Sequence, residues 1–355
     1  MNLVASEDHY NFHDLFRLTV RSAQAKARQH FRSEYALFKT DDLASSDLLV
    51  TVGPFSLEGS EDSGVVTDRG GGWLYVRERH KVATWRFAIG GLAAPESQLL
   101  FDGGLFSLMF LQHYVEQIMC FKLSQRGIAL VHAGCVARDG VSILFPGRGH
   151  AGKTALALQQ VLAGQQFQAD DYTFVTSTGQ TLCYPRRLHI SQHISSVCPE
   201  ALRHVSLKHR LFIRAKYLIC LLTLKYGELT EPLQLAEMLP RAAVARTARL
   251  GAVVLLKSGE CGEVRGLRPV SGRELVDQVM EINREEGSRR FPRVLLKLQE
   301  KGDGDLAEDW WRRERAVLEQ ALSGVPGYEI VVPRKAASPT ATLVQVGRLA
   351  AGVLE

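Results

Sequence analysis

The sequence predicts an α/β protein, a mixed sheet preceded by a smaller β-rich unit. Three observations carry that prediction. Short β-branched and aromatic runs separated by Gly- and Ser-rich turns fill the first third of the chain. A strand, a glycine-rich loop, a helix and a return strand follow between residues 128 and 171, the pattern of a mononucleotide-binding unit. Beyond that, apolar runs of strand length alternate with amphipathic runs of helix length.

Taken in order, Glu7 to Ser33 is polar and helix-favouring, and is expected to be a solvated amphipathic helix. Leu48–Val52, Trp73–Val76 and Thr84–Ile89 read as strands of a small antiparallel unit, with turns at Gly59–Gly64 and Gly70–Gly72. Leu105–Gln125 has an apolar face broad enough for a mostly buried helix, closed by Gly127. Ile128–Val131 and Val141–Phe145 are buried strands, with Ala133–Gly140 bridging them and ending in the turn dipeptide Asp139-Gly140. Lys153–Ala163 is a helix stopped by Gly164, and a short strand leads to Asp170. Downstream, Leu207–Leu239 reads as helical and connecting, and Leu250–Lys257 as an apolar strand. Arg273–Asn283 is a helix opened by Ser271 and Glu274 at capping-box spacing. The chain closes with a flexible turn at Lys301–Asp305, a helix near Leu306–Leu322, a strand at Tyr328–Val332 and a helix from Ala341. The corresponding domains are 1–126, 127–290 and 291–355, the last an extension packed on the core.

Composition narrows the function classes. At 355 residues, 46% hydrophobic and 23% charged, the chain can bury a sizeable core. A net charge of +5 is mild, and no dense basic stripe with interleaved aromatics marks a nucleic-acid partner. The N-terminus has no signal-peptide pattern, and no apolar run has membrane length, so a cytoplasmic chain without a membrane partner is expected. Six scattered cysteines form no CxxC and no zinc spacing, which makes them core residues. Trp310-Trp311, on an amphipathic helix, is expected in a core or an interface.

Residues 147–154 read GRGHAGKT and fit G-x-x-x-x-G-K-[ST], a P-loop. Gly147 and Gly152 permit torsions that turn successive N–H groups of Arg148, Gly149, His150 and Ala151 inward at phosphate oxygens. The helix opening at Lys153 adds its unpaired N–H groups and positive dipole end. Lys153 would reach the β- and γ-phosphates of ATP, and the Thr154 hydroxyl would take a place on Mg2+. Asp170-Asp171 follows Lys153 by seventeen residues, room for one helix and a short return strand. One carboxylate there can hold the metal while the other accepts a proton from an attacking hydroxyl. His132, at the end of Ile128–Val131, is expected near the phosphate site, where it would tune an aspartate or orient the acceptor. Arg186, Arg187, Arg241, Arg246 and Arg249 could each neutralise phosphate charge, and the sequence does not choose among them.

His132 to Asp171, with this order and spacing, resembles the catalytic core of HPr kinase/phosphorylase and related bacterial kinases. The likeness extends loosely to Tyr184–Arg186 and to the strand and helix around Leu250–Asn283. It implies a nucleotide fold related to phosphoenolpyruvate carboxykinase and phosphoryl transfer from ATP to a hydroxyl-bearing protein, peptide or small molecule. It implies Asp170 as general base, Asp171 as metal or hydrogen-bond support, His132 as partner of the pair, and a homo-oligomer. Ala155 stands where the bifunctional enzymes carry Glu, so neither dephosphorylation nor HPr as substrate carries over. Two other functions stay open: a regulatory or assembly protein that binds ATP without transferring it, and a nucleotide-hydrolysing switch. An ordinary P-loop NTPase would place an Asp at the end of Leu250–Lys257, which ends instead in Lys257, Ser258 and Gly259.

Overall fold

The computed structural model describes residues 5–41, 45–57, 64–68, 71–80, 83–222, 229–260, 264–287, 306–333 and 338–353. The turns expected at Gly59–Gly64 and Lys301–Asp305 lie almost wholly outside them, as does Gly70. The protein is α/β with mixed sheets and divides into two compact units, Met1–Gly127 with Ser288–Glu314, and Ile128–Gly287 with Arg315–Glu355.

The first unit opens with a hairpin, not the expected helix: β1 (Ser6–Phe12) and β2 (Phe16–Ser22) pair antiparallel, and only then comes α1 (Ala25–Glu34). The reason is a two-residue period. Asp8, Tyr10 and Phe12 face the core on β1, and Phe16, Leu18 and Val20 on β2. The turn between them holds His13 and Asp14 at φ of 58° and 60°, the mirror-image turn that matches strand twist. The Asn11 side chain bonds Asp14 there, which offsets the cost of two non-glycine residues in that region.

The strands β3 (Lys39–Thr40), β4 (Leu48–Val52), β5 (Gly64–Asp68), β6 (Gly71–His80), β7 (Ala83–Gly90) and β8 (Ser97–Gly103) complete an eight-stranded sheet ordered β3-β1-β2-β4-β8-β7-β6-β5. It is larger than expected and mixed, since β2–β4 and β4–β8 are parallel. The crossover through α1 makes β4 parallel to β2, as a β-α-β connection must. A short 3-10 turn at Leu105–Ser107 leads into α2 (Leu108–Ser124), buried on nearly all sides. Tyr114 donates to Glu78 at 2.6 Å, and Lys122 points its ammonium at the carbonyls of Ala94 and Pro95.

The second unit carries β9 (Ile128–Val131), β10 (Ala133–Arg138), β11 (Val141–Pro146), α3 (Lys153–Leu162), β12 (Gln166–Ala169), β13 (Thr173–Thr176), β14 (Gln180–Leu182) and β15 (Leu188–Ile190). After them come α4 (Gln192–Val197), α5 (Leu207–Leu222), β16 (Glu231–Leu233), α6 (Leu235–Met238), β17 (Thr247–Gly259), β18 (Arg265–Val270) and α7 (Gly272–Gly287). The segment expected to bridge β9 and β11 is itself strand β10. Asp139 and Gly140, at φ of 51° and 76°, form the tight turn that folds β10 back on β11.

Its sheet runs β12-β10-β11-β17-β14-β13-β9, with β11 parallel to the long strand β17. β11 and β12 run the same way with β10 between them, so α3 crosses over one intervening strand. The helix buries Ala155, Leu156, Ala157, Leu158 and Val161 in a cluster with Phe145, Phe167 and Leu256. α7 begins as expected, with the Ser271 hydroxyl accepting from the Glu274 N–H.

The stretch after Gly287 does not form one extension. The helix α8 (Leu306–Ala321) belongs to the first unit up to Glu314, where buried Trp310 meets Phe121 edge-on. Strand β19 (Gly327–Pro333) instead adds parallel to β17 in the second unit, and α9 (Pro339–Ala351) packs in the α3 cluster through Leu343, Val346 and Ala350. Cys120, Cys135, Cys183, Cys198 and Cys220 are buried free thiols. Among the described residues no helix is long and apolar enough to cross a membrane.

Candidate phosphate and acid–base site

Two features of the backbone build the site. The first is the loop between β11 and α3. Gly147 still pairs in parallel with Leu256 of β17, so the chain leaves the sheet next to a neighbouring strand. A Cβ on Gly147 would stand 3.1 Å from both the Ala151 Cβ and the Leu256 carbonyl oxygen, too close for any other residue without a shift. The loop turns at Arg148–Ala151, closed by the Ala151 N–H on the Arg148 carbonyl, with His150 at φ 63°. Gly152, at φ 93°, then starts α3 with no side chain capping it and no acidic residue in the first turn. The positive end of the helix, with the N–H groups of its first turn, therefore faces this loop.

The second feature is a facing pair of strand breaks. β9 and β10 are separated by His132 alone, and β12 and β13 by Asp170, Asp171 and Tyr172. Val131 pairs with Thr173 and Cys135 with Ala169, so the antiparallel register is the same on both sides of the breaks. His132 consequently falls opposite Tyr172, their ring centroids 5.1 Å apart, and Gly134 falls opposite Asp170. The break is held by the Asn283 side chain of α7, which accepts from the His132 N–H at 2.8 Å, and by Thr173, whose hydroxyl donates to the Ala133 carbonyl.

These features bring six predicted side chains together. Lys153, only 7% exposed, donates to the carbonyls of Gly147 and Arg148 at 2.7 and 3.1 Å, and its third contact is His132 Nε2 at 3.1 Å. An ammonium has donors only, so Nε2 accepts and the ring proton lies on Nδ1. Nδ1 faces Asp171 Oδ1 at 3.3 Å. Asp171 Oδ2 accepts from Arg186 at 2.5 Å, completing a line Lys153–His132–Asp171–Arg186. Asp170 lies near the Thr154 hydroxyl, with one carboxylate oxygen buried and without a hydrogen-bond partner among the described residues.

The two carboxyl groups are driven apart. Burial, and then the charge of Asp171, push Asp170 from 3.8 up to about 6, against the pull of Thr154, Lys153 and Arg186. Burial also opposes ionisation of Asp171. The positive side of His132 and the Arg186 guanidinium outweigh it and hold Asp171 below the ordinary carboxylate range. One aspartate is thus poised to exchange a proton near neutrality and the other stays ionised, the pattern of an acid–base pair.

Of the five arginines, the structure brings Arg186 to this line, packed against the rings of Tyr172 and Tyr184 at 5.4 and 5.6 Å. Arg249 pairs with Val141, at the end of β11 away from the loop, and the Arg246 carbonyl caps the Cys183 N–H. Arg148 of the loop reaches Glu281 and Glu285 on α7, each at 2.6 Å. Sequence reasoning gave no role to Tyr172 or Asn283, for which no motif exists, and met Tyr184 only within the Tyr184–Arg186 element of the resemblance. A hollow of about 700 Å³ on α9, lined by Ser338, Ala341, Val344 and Arg348 among others, shares no residue with the site.

The residues fit a magnesium ion. The unpartnered Asp170 oxygen, the Asp171 carboxylate and the Thr154 hydroxyl are the hard oxygen donors it takes, and it binds through few protein ligands with phosphates and water completing the shell. No protein-family model matches this chain, and no curated protein matches it.

Proposed function

We propose that this chain is an ATP- and Mg2+-dependent kinase of the HPr kinase-related type, transferring the γ-phosphoryl group to a hydroxyl acceptor. The single observation that carries this reading is the convergence of Lys153, His132, Asp170 and Asp171 at the uncapped start of α3. A site built only to hold a nucleotide has no use for a buried carboxyl raised towards neutrality.

In this reading the loop amides from Arg148 to Gly152 and the start of α3 bind the phosphates. Lys153 gives up the carbonyls of Gly147 and Arg148 for phosphate oxygens, keeping its place against His132. Thr154 and the aspartates would hold a magnesium ion, which would supply positive charge to offset that of the phosphates. Asp170 accepts the proton of the acceptor hydroxyl as its oxygen attacks the γ-phosphorus. The bond to the β–γ bridging oxygen breaks and ADP leaves. His132 and Arg186 keep Asp171 ionised, so that the single proton taken up goes to Asp170.

The test is incubation with γ-labelled ATP and cell extract, comparing the native chain with Lys153→Ala. Covalent label on one protein or small molecule, absent with the variant, supports the proposal. Label released only as free phosphate would identify a hydrolase. A variant that labels as well as the native chain would end the proposal.

A further inference from the structure

Helix α5 turns the wrong face outward. Its inner row is narrow: Ile213 and Cys220 are buried, His209 and Lys216 half-buried, and the last two both pair with Glu231 of β16. At 3.6 residues per turn, Leu207, Leu211, Leu218 and Leu222 fall on the opposite side. These four leucines are 72%, 53%, 57% and 84% exposed. Phe212 and Tyr217 lie on the two sides of the helix between the rows, each nearly half exposed. A surface helix ordinarily shows charge to water and apolar residues to the core. Here the row aimed directly away from the protein is the apolar one.

The charge on the helix says what covers it. α5 carries Lys208, Arg210, Arg214 and Lys216 and no acidic residue. Lys216 is committed to Glu231, and Arg210 to the carbonyls of Leu202, Arg203 and Val205. Lys208, whose ammonium also lies 5.7 Å from the centre of the Phe212 ring, and Arg214 are exposed beside the leucine row. A second copy docked through this face would bring cationic side chains against each other, so the complementary occupant is anionic. The row lies on the outer side of the helix, open to solvent along its length, a face that a bilayer surface can accept as it is. An exposed apolar row, basic flanks and nearby aromatics are the physical recipe for a helix lying in a membrane interface.

We propose that α5 docks this chain on the surface of an anionic phospholipid bilayer, the leucines at the acyl boundary and Lys208 and Arg214 on headgroup phosphates. The helix lies along the surface. At 16 residues it is too short to span. This differs from the expectation of no membrane partner, which rested on the lack of a spanning segment.

The experiment is co-sedimentation of the full chain with vesicles of phosphatidylcholine alone, or of phosphatidylcholine with phosphatidylserine. The native chain should pellet with the anionic vesicles, with affinity about tenfold or more above that for neutral ones, and high salt should release it. The double variant Leu211→Glu, Leu218→Glu should abolish pelleting. Lys208→Glu, Arg214→Glu should weaken it several-fold. All four changes are at exposed helix positions, and unchanged melting and ATP binding would show that the fold survives. A native chain that stays in the supernatant with anionic vesicles overturns the proposal, as does a leucine variant that still pellets. Concentration-dependent dimerisation lost in the leucine variant, without vesicle binding, would give the face to a second copy and equally overturn it.

Discussion

Replacing Asp170 by asparagine should make the protein more stable at alkaline pH while removing its proposed chemistry. The magnitude follows from the carboxyl's surroundings. In the unfolded chain Asp170 ionises near 3.8, whereas the folded site, by burial and by the nearby Asp171, holds it at about 6. The folded protein therefore binds this proton more tightly than the unfolded one. Its contribution to stability is fully present below 3.8 and is lost as pH rises through 6. By pH 8 the ionised Asp170 costs the fold about 3 kcal/mol. Asparagine carries no charge, keeps an oxygen to accept from Thr154, and escapes that cost. Urea unfolding of both proteins at pH 8, with a chelator present, should show the variant more stable by about 2–3 kcal/mol. At pH 4 the difference should shrink below about 1 kcal/mol. A variant less stable than the native chain at pH 8, or one whose gain is equal at both pH values, would refute the reasoning.

Three further outcomes follow. Arg186→Met removes the counter-charge of Asp171, whose side chain is 42% exposed, so the screened loss at pH 7 should be about 1 kcal/mol. Because Asp171 is held low in the fold, that part of the loss should fade as pH drops below 3.8 in urea titrations. Asn283→Leu strands the buried His132 N–H and should cost about 1–3 kcal/mol in the urea midpoint; an unchanged midpoint would mean that α7 does not hold the strand break. Gly147→Ala drives a methyl group against Leu256 and Ala151, and should cost about 1–3 kcal/mol and weaken ATP binding about tenfold by calorimetry.

Much of the site was legible because it is local. GRGHAGKT is contiguous, and the strand before it and the helix after it have unambiguous apolar patterns, so the loop's place at a strand end could be read from residues 141–163. The Asp pair was legible by distance along the chain. The choice of Arg186 was not: five arginines look alike until β13 and β14 bring Tyr172 and Tyr184 around one of them. Nor could the sequence display the common register of the two strand breaks, a long-range pairing with no local signature. The N-terminal hairpin was missed because its turn uses His13 and Asp14 in a conformation that usually announces itself by glycine. In α5 the leucine period was readable but its direction was not, since a periodic row looks the same facing a core or facing out.

The most direct test of the central claim, that Asp170 takes the acceptor's proton beside phosphates held by Lys153, is the rate of label transfer from γ-labelled ATP by Asp170→Asn, measured with its ATP affinity. Affinity should stay within about threefold of native while transfer slows by about 10²–10⁴-fold. Transfer at the native rate would contradict it.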